Sequence, residues 1–179
     1  MNGMTSEVTA LLACMGAGVL ALVFARSAAH KLAEFSFFSA TLGDYRLLPS
    51  LFVGPAAMTL AIAEVAAIGL LLFPDSRTAG AFLAMSLLSL YAMAMAINLR
   101  RGRYRIDCGC GGPGQMISWA LVVRNLLLAG VASLVAFNTA ALDAIPAGTL
   151  VVFAGVLLCW LLLTIFDQII GNRSHARAM

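Results

Sequence analysis

Five apolar runs alternate with short polar stretches along this chain, and the alternation predicts a bundle of membrane-crossing helices. The runs cover about Val8–Ala29, Leu51–Phe73, Thr78–Leu99, Met116–Phe137 and Ala147–Phe166. A bilayer core of roughly 30 Å is crossed by about 20 apolar residues rising ~1.5 Å each. Punctuation agrees with this division: Pro74-Asp75 closes the second run, Arg100-Arg101 the third, and a polar tail begins at Gly171. The expected fold class is therefore all-α, a polytopic integral membrane helical bundle of about five spans around a four-helix core. Residues 1–179 form one membrane domain in this reading, without internal repeat or interdomain linker.

Composition makes a water-soluble fold untenable. Of 179 residues, 62% are hydrophobic and 11% charged, and the mean hydropathy is +0.98. A soluble domain is closer to half apolar and a quarter charged, so too few polar residues remain to cover a surface. Met1–Thr9 carries Glu7 and no Lys or Arg, unlike a signal peptide, so the first run is expected as a retained span. Ala13, Ala17 and Ala21, spaced four apart, would allow close packing on a neighbour, although Ala is common in all the spans.

The formal charge of +3 does not point to nucleic acid, because the basic residues flank apolar runs. Lys31 and Arg46 follow the first run; Arg100, Arg101, Arg103 and Arg105 follow the third; Arg173 and Arg177 lie in the tail. The opposite loops carry Arg77 alone among basic residues, with Asp143 in the last connection. The positive-inside rule then puts the N-terminus outside and the C-terminus in the cytoplasm.

Charges within the runs are the first candidate functional residues. Glu64 sits midway along the second run, and Arg124 with Asn125 lies inside the fourth. An unpaired charge in hydrocarbon costs a few kcal/mol or more, so such residues face the bundle interior and pair. A Glu64–Arg124 pair is expected, serving either to lock helix register or as a proton or substrate site. Arg26, His30 and Lys31 end the first run. Imidazole exchanges its proton near neutrality, so His30 is a candidate proton carrier or ligand, or simply an interfacial anchor beside Lys31.

The second candidate is Asp107-Cys108-Gly109-Cys110-Gly111-Gly112, between the third and fourth runs. Two thiols one glycine apart suit redox exchange: a disulfide closed over so short a ring is strained and easily reduced. Arg103 and Arg105 favour the reactive thiolate, and Asp107 opposes it. A metal centre would need more ligands than the two thiols supply, unless shared between protomers, and a glycine turn with incidental cysteines is the remaining reading. Cys14 and Cys159 lie within apolar runs, where a thiol behaves as a small hydrophobe. No haem-attachment or nucleotide motif occurs, so no cofactor is expected.

Taken in order, Ala29-His30-Lys31-Leu32, Asp44-Tyr45-Arg46-Leu47-Leu48-Pro49, Asn98-Leu99-Arg100-Arg101-Gly102-Arg103, Asp107–Gly112 and Val123-Arg124-Asn125-Leu126 resemble the methylamine-utilisation family MauE, itself related to DoxX-like membrane proteins. The likeness runs from about Ala28 to Leu128; the first and last spans match only in hydropathy. The resemblance implies an inner-membrane accessory protein of methylamine metabolism. Such a protein would assist processing, transport or disulfide formation of the methylamine dehydrogenase β (small) subunit, together with the thioredoxin-like MauD. Cys108 and Cys110 would then be the exchanging pair. A transporter or export component without redox activity, or a scaffold docking through the arginine-rich loop, are the alternatives. The arginines place the Cys-Gly-Cys loop on the cytoplasmic side, whereas the client matures in the periplasm. Either the loop folds back into the bundle, or the pair passes electrons through the membrane, or the charge rule does not hold here.

Overall fold

The computed structural model describes residues 2–109, 115–138 and 149–176. They form helices α1 (Asn2–Ala33), α2 (Phe35–Asp44), α3 (Ser50–Leu72), α4 (Arg77–Arg100), α5 (Trp119–Phe137) and α6 (Thr149–Ala176), with a 3-10 turn at Pro74–Ser76. Five are long and apolar enough to cross a membrane, within Val8–Ala33, Ser50–Leu72, Pro74–Arg100, Trp119–Phe137 and Leu150–Asn172. The protein is a polytopic helical membrane bundle.

Boundaries differ from the hydropathy reading where polar residues stay helical. α1 continues past Ala29 through His30 and Lys31, and α6 continues past Phe166 through Asp167. Residues 116–118 are not helical: Asp107 and Met116 form an antiparallel bridge, and α5 begins after Ser118, whose side chain accepts from the Leu121 amide. The short helix α2 is an element that hydropathy treats as a connection.

α1, α3, α4 and α5 form the core, with α1 packed on α3 and α5, and α4 on the same two. α3 and α5 therefore lie across a diagonal. The buried residues recur at helical spacing. On α1 one stripe carries Ala13, Ala17, Leu20, Phe24, Ser27 and Lys31, at three- and four-residue steps. On α3 it carries Ala57, Ala61, Glu64, Ala67 and Leu71. The expected small-residue stripe of α1 is thus a packing face. α6 lies outside this core against α1, and most of its surface is left for lipid.

The α3–α4 turn is tight. Ser76 Oγ donates to the Leu70 carbonyl at 3.1 Å and Arg77 Nε to the Leu71 carbonyl at 3.1 Å. Arg77, the isolated basic residue of its loop, thereby holds the carbonyl end of α3, where a helix favours positive charge.

Candidate functional site

Alternating helix directions bring the α1–α2–α3 connection, the α4–α5 connection and the C-terminal half of α6 to one end of the bundle. Nearly all the chemistry gathers there, in two ion pairs and a cysteine loop.

Glu64 is fully buried and Lys31 is 1% exposed, and they form an ion pair. Ser27 Oγ donates to Glu64 Oε1 at 3.0 Å, and Tyr91 Oη donates to the same oxygen at 2.8 Å. Lys31 Nζ also donates to Tyr91 Oη at 3.1 Å and lies over the rings of Phe38, at 4.8 Å, and Tyr91, at 4.5 Å. Cation–π contact adds to the Coulomb attraction in a water-poor site. Glu64 Oε2 is buried without a hydrogen-bond partner. α1, α3, α4 and, through the Phe38 ring, α2 all contribute to this cluster.

Arg124 NH1 donates to Asp167 Oδ1 at 2.5 Å, with side chains 9% and 11% exposed. The expected Glu64–Arg124 pair is replaced by two separate pairs. α3 and α5 are diagonal, and Glu64 lies about nine residues further along its helix than Arg124, a depth offset of roughly 13 Å at 1.5 Å per residue. Lys31 is nearer Glu64 because the α1 stripe carries it inward, and α6 supplies Asp167. Asn125 is buried beside Arg124. His30 points away from the cluster and is exposed, as expected when Lys31, one residue on, takes the inner face.

The cysteine loop is anchored at both flanks. The Cys108 amide donates to the Gln115 carbonyl at 2.8 Å, and the Ile117 amide to the Ile106 carbonyl at 2.9 Å. Cys108 Sγ lies 3.3 Å from its acceptor Gln115 Oε1, and Tyr45 Oη donates to the Cys108 carbonyl at 3.4 Å. Gln115 Nε2 donates onward to the Asp167 carbonyl at 3.3 Å. Gly109 has φ +73°, and a Cβ there would stand 3.4 Å from the Phe38 ring, so a side chain would suffer both strain and crowding. Arg103 turns back to the end of α4, donating to Asn98 Oδ1 at 3.1 Å and to the Tyr45 carbonyl at 3.3 Å. Cys110, the other expected member of the pair, lies outside the described residues, as do residues 111–114.

A cavity of about 390 Å³ opens between α2, α3 and α4. Lys31, Tyr91 and Cys108 reach it from three sides, among walls that include Phe38, Leu60 and Leu90. The cysteine loop and the buried ion pair thus share one space. Ser27, Tyr91 and Asp167 were not singled out from sequence. Ser27 was signalled by its place on the α1 stripe, and Asp167 was obscured by its position just past an apolar run.

The Asp167 pair predicts a local effect. Asp167→Ala should raise hydrogen exchange across residues 160–172 about tenfold, equivalent to ~1.4 kcal/mol of lost local stability. Exchange in α1 and α4 should stay as it is. Unaltered exchange in α6 would show that the pair does not hold this helix.

The family described as methylamine utilisation protein MauE matches residues 8–138. A methylamine utilization protein MauE of Paracoccus denitrificans is 41% identical over 131 residues, covering 72% of this chain and 69% of that one. Its counterpart in Methylophilus methylotrophus is 37% identical over 139 residues, 76% of this chain and 72% of the relative. That of Paracoccus versutus is 37% identical over 115 residues, 63% and 62%. No solved structure matches the chain significantly. The matched region holds Lys31, Glu64, Tyr91, Cys108 and Arg124; Asp167 lies beyond it.

Proposed function

This chain belongs to the MauE family of methylamine utilisation proteins, and from that premise we propose a membrane accessory role in disulfide formation. Its client is the methylamine dehydrogenase β (small) subunit, whose processing, transport or maturation it assists, with the thioredoxin-like MauD as soluble partner. Cys108 and Cys110 are the exchanging thiols. The chain resides in the inner membrane with its N-terminus in the periplasm and its C-terminus in the cytoplasm, following the distribution of Arg100, Arg101, Arg103 and Arg105.

The observation that carries this reading is the way Cys108 is held. A backbone bridge, Gln115 and Tyr45 fix its position, and its side chain borders a cavity that also reaches Lys31. An incidental turn cysteine needs no such anchoring. A thiol that must meet a partner sulfur benefits from it, because exchange depends on which sulfur is presented and on access.

The test is replacement of Cys108 and of Cys110 by serine, each in a methylamine-grown host lacking its own copy. Growth on methylamine should fall about tenfold or more, and the β subunit should accumulate with alkylatable thiols, since the single thiol left in each variant cannot close the pair's disulfide. Normal growth of both variants would instead favour export or transport. A defect confined to charge reversals at Arg100–Arg105 would favour a scaffold.

A further inference from the structure

We propose that the crevice between α1, α5 and α6 binds the phosphodiester head of an anionic membrane phospholipid. The inference goes beyond the thiol–disulfide reading and is independent of it. It uses Arg26, Arg124 and Asp167, and no part of the cysteine loop.

Arg26 reaches the crevice from α1, Arg124 from α5, and Trp160, Leu163 and Asp167 from α6. Each charged residue stands five to seven residues inside the same end of its span, a depth of about 8–10 Å at 1.5 Å per residue. A long basic side chain at that depth extends its head toward the lipid headgroups.

The charges in the crevice do not balance. Asp167 accepts from NH1 of Arg124, so that pair is neutral. Arg124 is 8% exposed, and its Nε is buried without an acceptor. Among the described residues, the Arg26 guanidinium has neither an ion-pair nor a hydrogen-bond partner. One positive charge is left over, beside a buried N–H for which an unmet hydrogen bond is costly. A single anion meets both demands. Phosphate oxygens suit it best, because the guanidinium fork matches them and sheds water easily.

Size and access select a lipid as the source. The enclosed volume, about 20 Å³, holds one water-sized atom. It admits a phosphate oxygen but no whole metabolite, so the rest of the ligand lies at the mouth. The mouth is on the lipid side of the bundle: only 6% of the α6 span is buried, and Trp160, Leu163 and Thr164 are partly exposed. Trp160 lies seven residues deeper than Asp167, about 10 Å. An acyl chain descending from the bound head therefore runs past the Trp160 ring. Net charge then discriminates between phospholipids. A zwitterionic head brings its own ammonium beside two guanidiniums, whereas phosphatidylglycerol brings the anion alone.

The experiment uses the full chain carrying Trp119→Phe, which leaves Trp160 as its one tryptophan, reconstituted in phosphatidylcholine vesicles. Phosphatidylglycerol or phosphatidylcholine with brominated acyl chains is titrated in, and quenching of Trp160 gives their relative association constants. Phosphatidylglycerol should be preferred by about fivefold or more, equivalent to ~1 kcal/mol. Arg26→Gln should bring the ratio within about twofold, and Arg26→Lys should keep most of it, because the charge remains. Brominated phosphatidylcholine should quench all three proteins alike, which reports an intact surround for Trp160. Equal association of the two lipids with the parent chain would overturn the proposal. So would a preference that survives Arg26→Gln, since it would reflect general attraction to Arg100–Arg105. Abolition of the preference by inorganic phosphate at constant ionic strength would assign the crevice to a soluble phosphate and remove the lipid.

Discussion

Lys31→Met is expected to lower the thermal unfolding midpoint of the detergent-solubilised protein by on the order of 10 °C. Without Lys31, the Glu64 carboxylate stays between α1, α3 and α4 at zero exposure, with only the Ser27 and Tyr91 hydroxyls described as donors to it. Breaking a buried pair by removing one partner costs about 3–5 kcal/mol, because the remaining charge is stranded. The double variant Lys31→Met/Glu64→Met should recover most of the loss, since well-packed apolar residues commonly replace a buried pair at little net cost. The informative quantity is the coupling between the two positions. Additive losses, or a Lys31→Met protein melting with the wild type, would mean that the pair is not a structural unit. Recovery of stability with loss of methylamine growth would separate the pair's function from its packing.

Gly80→Ala should destabilise the α3–α4 hairpin by about 1–3 kcal/mol, the usual cost of forcing an extra carbon into a packed contact. A Cβ at Gly80 would stand 2.7 Å from the Leu71 amide nitrogen and 2.8 Å from the Leu70 carbonyl carbon. Both are backbone atoms, so no side-chain rotation relieves the clash, and the two helices must separate. The turn joining them is short and already bonded through Ser76 and Arg77, which leaves little slack. Gly69→Ala is the control within the same hairpin: nothing lies within 4 Å of its Cβ position, and alanine is the better helix former by roughly 0.5–1 kcal/mol. The two substitutions should therefore shift the unfolding midpoint in opposite directions. A Gly80→Ala protein as stable as Gly69→Ala would refute the close approach of α3 and α4.

Sequence legibility was uneven for reasons that particular residues make plain. Hydropathy located all five spans, because lipid demands a long apolar run and tolerates little else. It misplaced ends where a charged residue is paired in the folded protein. Lys31 reads as a loop charge, yet it continues the α1 stripe of Ala17, Leu20, Phe24 and Ser27. Asp167 falls just past the end of the fifth apolar run, yet it pairs with Arg124. Arg124 and Glu64 stand out in the sequence as charges within apolar runs. Their partners were not legible, since pairing depends on which helices are neighbours, and no pattern along the chain states that α3 and α5 are diagonal.

The sequence by itself determined the membrane-spanning class and the number of long helices. These follow from the length of the apolar runs and from the cost of exposing backbone and charge to lipid. Only the tertiary structure decided that Lys31 rather than Arg124 meets Glu64, and that α6 supplies Asp167. It alone set Cys108 on the wall of the cavity that Lys31 reaches. Those outcomes depend on helix order around the bundle and on relative depth, which arise when separate stripes pack against one another.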